Sequence, residues 1–251
     1  MTYCVAISVG AGMVFCSDSR TNAGVDQVST YSKMFRFELG PERQFVVMTA
    51  GNLATTQSAM AQLKKDLRQQ SMVNLNTVMS IGDAADYLGE VSKSVQDRHG
   101  LGGQGGFQAS FILGGQIAGM DHRIVLIYPE GNHITSSKDT PYLQIGESKY
   151  GKPILDRILN LDTPLETAAI CALVSMDSTM RSNLSVGPPI ELQLYTTNSF
   201  QLQPYYRLEE GSDYLREIKR NWDQRLKEAF SQMPPLSSAV QPSQAPQDNS
   251  Y

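Results

Sequence analysis

The chain opens Met1-Thr2-Tyr3, and Thr2 heads an alternating, β-rich run. Cytosolic processing removes an initiator methionine when the next residue is small, which would leave Thr2 with a free α-amine and a hydroxyl on one residue. An α-amine ordinarily titrates at about 7.7–8.0, so part of it is neutral near neutral pH and can accept a proton. A threonine hydroxyl activated by its own amine is an established nucleophile for acyl transfer. That chemistry also needs a cation beside the nucleophile, a carboxylate to hold the cation, and backbone N–H groups for the oxyanion. Candidates follow in order. Asp18 lies in Ser17-Asp18-Ser19-Arg20, Lys33 precedes Met34-Phe35-Arg36-Phe37, and Gly51 sits at the strand-to-helix junction Thr49-Ala50-Gly51-Asn52. Singly, each has an ordinary explanation as a turn residue, a solvated charge and a helix entry. The set in this order does not.

These residues need elements to bring them together. Residues 2–9 alternate and are rich in β-formers, Gly10-Ala11-Gly12 is turn material, and 13–17 resume an apolar run, which together predict a hairpin. A second hairpin is expected over 34–38 and 44–49. Helices are expected over 53–70 and 77–98, from apolar stripes such as Leu53, Met60, Leu63 and Leu67. After a glycine-rich connection at 100–106, strands are expected over 107–118, 123–128, 133–136 and 142–145. Two more helices follow over 150–160 and 164–180, the second with Thr163 as N-cap, Pro164 at its first position and Glu166 completing a capping box. Strands over 190–197 and 200–206 close the domain. Helices arriving in pairs between hairpins do not suit a parallel βαβ sheet. They suit an α+β fold in which two antiparallel sheets pack face to face with a helix pair outside each, a four-layer α-β-β-α sandwich. Leu215, Ile218, Trp222, Leu226 and Phe230 then mark an amphipathic helix, within 207–233. A Pro/Ser/Gln-rich tail over 234–251 is expected to be disordered. The expected organisation is therefore a domain over 1–206, the helix and the tail.

The bulk numbers exclude other classes. With 251 residues, 41% hydrophobic and 18% charged, the chain has the composition of a globular protein with a sizeable core. A net charge of -4 gives no basic footprint for nucleic acid. No apolar run is long enough to span a membrane, and the N-terminus lacks the charged and apolar blocks of a secretory signal. Cys4, Cys16 and Cys171 are too few and scattered for a disulfide framework or zinc site, and read as buried free thiols. A cytoplasmic protein is expected. His99, His122 and His133 do not cluster in a ligand pattern, and neither a metal nor another cofactor is implied. The glycines at 102–106 precede a strand rather than a helix, which argues against a phosphate cradle.

The motif set Thr2, Ser17-Asp18-Ser19-Arg20-Thr21-Asn22-Ala23-Gly24, Lys33 and Ala50-Gly51 resembles proteasome β subunits, and more closely the bacterial ancestral-β-subunit (Anbu) branch of these N-terminal nucleophile hydrolases. The resemblance runs over about residues 2–206, more weakly in the second half. It implies Thr2 as nucleophile, Lys33 lowering the proton affinity around it, Asp18 paired with Lys33, and the Gly51 N–H donating to the oxyanion. Ser182-Asn183-Leu184-Ser185-Val186-Gly187 looks like the family's supporting loop, with Ser185 matching its serine. Ser182 stands where the family usually has an aspartate, and Glu147 intrudes where the family has Gly-Ser-Gly, leaving Ser148 as the candidate there. By the same resemblance, Thr21, Thr49 and Leu53 line the substrate cleft.

The expected activity is hydrolysis of peptide bonds inside a self-assembled homo-oligomer. A closed ring and an open helical stack differ only by a small rotation at one interface. No particular unfoldase partner is implied. Two alternatives stand beside this reading: a scaffold that keeps the fold but hydrolyses little, and an amidase acting on a non-peptide amide.

Overall fold

The computed structural model describes residues 1–22, 28–99 and 106–235. The first hairpin is β1 (Tyr3–Val9) and β2 (Gly12–Asp18), followed by the short pair β3 (Arg20–Asn22) and β4 (Val28–Thr30). β5 (Met34–Glu38) and β6 (Arg43–Gly51) lead into α1 (Leu53–Gln69) and α2 (Ile81–His99). Then come β7 (Ala109–Ile117), β8 (Arg123–Ile127), β9 (His133–Thr135) and β10 (Tyr142–Gly146). A second helix pair, α3 (Lys152–Ile158) and α4 (Leu165–Ser182), precedes β11 (Ile190–Thr196), β12 (Tyr205–Leu208) and α5 (Asp213–Ser231).

The strands form two five-stranded sheets, ordered β10-β1-β2-β11-β12 and β5-β6-β7-β8-β9, and every pairing in them is antiparallel. The period-2 pattern of β1 explains how the first sheet is buried on both faces. Tyr3, Val5, Ile7 and Val9 join Leu155, Leu159, Ala172 and Met176 of the α3–α4 side in one cluster. Cys4 and Ala6, pointing the other way, join Val46, Met48 and Ile112 of the second sheet. On the far side of the second sheet, Phe45, Val47, Phe111 and Leu113 pack with Met60, Leu63, Ala85 and Leu88 of α1 and α2. The mixed α+β class expected from the sequence is therefore observed.

Several elements differ from expectation. The strand pair β3–β4 was not expected, because three-residue strands carry too little alternation to stand out. α2 starts at Ile81 rather than residue 77: Thr77 Oγ1 accepts from the Asn74 N–H (2.9 Å), closing a turn, while Ser80 Oγ accepts from the Asp83 N–H (3.0 Å) at the helix entry. The expected cap at Thr163 fails similarly. Its Oγ1 accepts from the Asn160 N–H (2.9 Å), and Pro164, in extended conformation, is the N-cap of α4 without a side-chain cap bond. α3 is shorter than expected, and the last strand lies at Tyr205–Leu208 instead of 200–206. α5 runs over Asp213–Ser231, inside the range given for it, and at its start Ser212 Oγ accepts from the Leu215 N–H (3.4 Å). The glycine-rich connection and the tail lie, apart from residues 106, 234 and 235, outside the described residues.

Candidate active site

β1 and β2 carry Thr2 and Asp18 to the same end of the first sheet. Tyr3 is fully buried, and its N–H donates to Asp18 Oδ1 (3.0 Å), fastening the chain immediately after Thr2. The same oxygen accepts from Lys33 Nζ at 2.7 Å, and Nζ also donates to the Arg20 carbonyl (2.8 Å). Asp18 Oδ2 accepts from the Gly187 N–H (3.4 Å). The carboxylate is 0% exposed and the ammonium-bearing residue 6%. Burial pushes the Asp18 carboxyl above the ordinary range, while Lys33 and the two backbone N–H groups pull against that shift.

Above this pair lies a cavity of about 240 Å³ lined by Met1, Thr2, Thr21, Lys33, Thr49, Ala50, Gly51, Leu53 and Thr56. Six of the residues expected to serve as nucleophile, cation, oxyanion donor or cleft lining therefore meet there, from five different elements or their edges. Gly51 ends β6 at φ +108°, and a Cβ on it would lie 2.4 Å from the Gln108 carbonyl oxygen. Only glycine holds this junction without strain. Asn52 then turns the chain into α1, its side chain accepting from the Thr55 N–H (3.0 Å).

The two serines of the 182–187 loop sit apart from this cavity. Ser182 is the exposed last residue of α4, and Ser185 is half-buried with its N–H donating to Asn183 Oδ1 (3.0 Å). The loop reaches the site through Gly187, whose N–H meets Asp18 and whose carbonyl accepts from the N–H groups of Ser19 (3.4 Å) and Arg20 (3.3 Å). Arg20 is a tie rather than a cleft charge: its Nη1 donates to the Leu184 carbonyl (3.0 Å).

Glu147 is hydrogen-bonded to the segment that carries Thr2 and to the 182–187 loop. Its N–H donates to the Thr2 carbonyl (2.7 Å), and its buried carboxylate accepts from Asn183 Nδ2 (3.1 Å). Gly146 beside it adopts φ +81°, and a Cβ there would lie 2.0 Å from the Thr2 carbonyl oxygen. Ser148 contributes its carbonyl, which accepts from Gln144 Nε2 (3.1 Å). Sequence reasoning missed Glu147 and Gly187 as groups that hold the site; the Gly146-Glu147 pair was the available signal.

Comparison with solved structures matches the chain as a whole to known proteins. An Anbu (ancestral β-subunit) structure from Yersinia bercovieri superposes with a TM-score of 0.89 at 48% identity, over 93% of this chain and 98% of that one. This chain belongs to the Anbu family. The structure described as the helical assembly of the Anbu complex from Pseudomonas aeruginosa gives a TM-score of 0.89 at 47% identity, over 95% and 100% of the two chains. An Anbu variant from Hyphomicrobium sp. strain MC1 gives 0.89 at 41% identity, over 94% and 99%. No family model and no curated protein matches the sequence. The Anbu resemblance carried by the N-terminal motifs thus extends over nearly the whole chain.

Proposed function

We propose that this Anbu-family chain is a threonine-type peptidase that acts, after loss of Met1, inside a self-assembled oligomer. The observation that carries the reading is the shared cavity: Thr2, Lys33 and Gly51 line it, and the Lys33–Asp18 pair lies beneath. In the proposed reaction Thr2 Oγ attacks a peptide carbonyl while its proton passes to the freed α-amine. The Gly51 N–H donates to the oxyanion as it forms. The C–N bond breaks as the ammonium returns the proton to the leaving amine. Water then hydrolyses the ester and regenerates Thr2. Lys33, fixed by Asp18, favours the deprotonated oxygen. Ser185 serves by ordering the loop that presents Gly187 to Asp18, and Ser182 by ending α4 beside it.

The layering belongs to the same proposal: helix pairs outside two face-to-face sheets, the four-layer sandwich, over residues 1–206, with the helix within 207–233 and the tail over 234–251 as appendages. So does the cytoplasmic setting, which agrees with the finding that no helix among the described residues is long and apolar enough to cross a membrane. Self-assembly is supported by the helical assembly of the Pseudomonas aeruginosa relative. Peptides are the proposed substrates, since small and neutral groups at Thr21, Thr49 and Leu53 offer no partner for a strongly charged side chain.

A second reading, an inert scaffold, draws on Ser182 where the family usually has a carboxylate. Glu147 weakens it by supplying a buried carboxylate on the neighbouring loop. Intact-mass analysis of cell-derived protein together with a fluorogenic peptide panel separates the readings. Processed protein that cleaves peptides supports the peptidase. Processed protein that turns over only small amides points to an amidase, and retained Met1 with no turnover to the scaffold.

A further inference from the structure

We propose that Glu191, a buried carboxylate outside the cavity, is a positioning residue that sets the Asp18–Lys33 pair by clamping both ends of the segment between them. The consequence for Thr2 rests on the peptidase reading; the clamp itself does not. Glu191 lies on β11 and is 3% exposed. Its neighbours Ile190 and Leu192 face the helix-side core, so Glu191 projects towards the layer between the sheets, the face it shares with Tyr195. There Oε2 accepts from two hydroxyls, Ser32 Oγ at 2.8 Å and Ser19 Oγ at 3.3 Å. Oε1 accepts from the Tyr205 hydroxyl at 2.6 Å.

Ser19 follows Asp18 and Ser32 precedes Lys33. Between them the chain leaves the sheet as β3 and β4 and returns, so the 2.7 Å Asp18–Lys33 contact depends on how tightly the neck of this excursion is drawn. Backbone pairing crosses the excursion in the β3–β4 ladder, which starts at Arg20 opposite Thr30, and at the neck itself the Tyr31 N–H donates to the Ser19 carbonyl (2.9 Å). The carboxylate supplies the side-chain closure. It is acceptor-only with several lone pairs, so one oxygen satisfies both serines at once, which two serines alone could not reproduce over that span. Ser32 Oγ is also 2.9 Å from the Met34 carbonyl, but its single proton is better spent on the charged acceptor.

The placement is unfavourable for stability alone. Among the described residues no lysine or arginine forms an ion pair with Glu191, and an apolar side chain of similar volume avoids the desolvation of a buried carboxylate. What the apolar residue lacks is the pair of bonds to the neck.

The test compares wild type, Glu191→Leu, Glu191→Gln and Ser32→Ala. Two readouts are used: acylation of Lys33 by a small amine-reactive reagent, mapped by mass spectrometry, and the rate at which a peptide epoxyketone modifies Thr2. Glu191→Leu is expected to speed Lys33 acylation and slow Thr2 modification, each about tenfold. Glu191→Gln should stay within about twofold of wild type, because its amide oxygen still accepts from both serines and its NH₂ faces the Tyr205 oxygen. Ser32→Ala should shift both rates in the direction of Glu191→Leu and add nothing when combined with it. Continued protection of the Cys4 and Cys16 thiols reports an intact fold; if Glu191→Leu exposes them, Ser32→Ala carries the test. Wild-type rates in Ser32→Ala, or in folded Glu191→Leu, overturn the clamp, as does a Glu191→Gln variant impaired like Glu191→Leu. A wild type that never reacts at Thr2 removes the peptidase reading only, since Lys33 acylation still reads the clamp.

Discussion

Asp18 is fully buried, and burial raises its carboxyl above the ordinary range against the pull of Lys33, Tyr3 and Gly187. The folded chain therefore binds this proton more tightly than the unfolded one. The associated stability is present at acid pH and is lost as pH rises through the raised value. Reactivity runs the opposite way, because protonated Asp18 no longer fixes Lys33. Thr2 modification is expected to fall on acidification in two steps, first as the α-amine takes a proton at about 7.7–8.0 and again as Asp18 does so above the ordinary carboxylate range; a pH–rate profile with the amine's step alone contradicts the assignment. Lys33→Ala should abolish turnover and leave Asp18 buried without its cation, destabilising the fold by about 3 kcal/mol at neutral pH in denaturant titrations. That loss should shrink towards acid pH. Thr2→Ala should abolish turnover with a stability change within about 0.5 kcal/mol, since its side chain only lines the cavity.

At the scale of elements, Gly146 sets how β10 meets the nucleophile. Gly146→Ala must move either the strand end or the Thr2 carbonyl, which would lie 2.0 Å from the new methyl. It is expected to cost about 1–3 kcal/mol and to slow Thr2 modification severalfold; stability and reactivity both at wild-type levels would refute this. β1 and β2 were legible as a β-rich stretch and an apolar run on either side of a glycine turn, and their sheet meets a core on each face. Asp18, Lys33 and Gly51 could be singled out because each stands at an element edge with a residue type that the proposed chemistry requires. The supporting groups were not. Gly187 meets Asp18 and Glu147 meets Thr2 through backbone N–H groups, which every residue but proline possesses. Glu191 sits in a strand, where its carboxylate reads as solvated unless the partners Ser19, Ser32 and Tyr205 are known. The cap at Thr163 was misread because its hydroxyl had a nearer donor in Asn160.

At the scale of the molecule, α5 packs Leu215 and Ile218 against the core between α4 and the first sheet, while Leu226 (43% exposed) and Phe230 (72%) remain uncovered further along. Under the assembly proposal these residues meet another copy of the chain. Replacing both by serine should reduce the assembled mass in light scattering and leave the melting temperature of the domain unchanged; an unchanged mass excludes α5 from the contact. The helix was legible from its apolar spacing, but what it packs against depends on long-range contacts that no local pattern encodes. The proposed catalysis depends on Thr2 carrying a free amine and a reactive hydroxyl. The most direct test is to treat protein purified from its own cells with a peptide epoxyketone and sequence the N-terminal peptide by tandem mass spectrometry. The expected product lacks Met1 and carries the adduct on Thr2. An N-terminal peptide that keeps Met1 in every molecule, or a processed one that never gains the adduct, contradicts it.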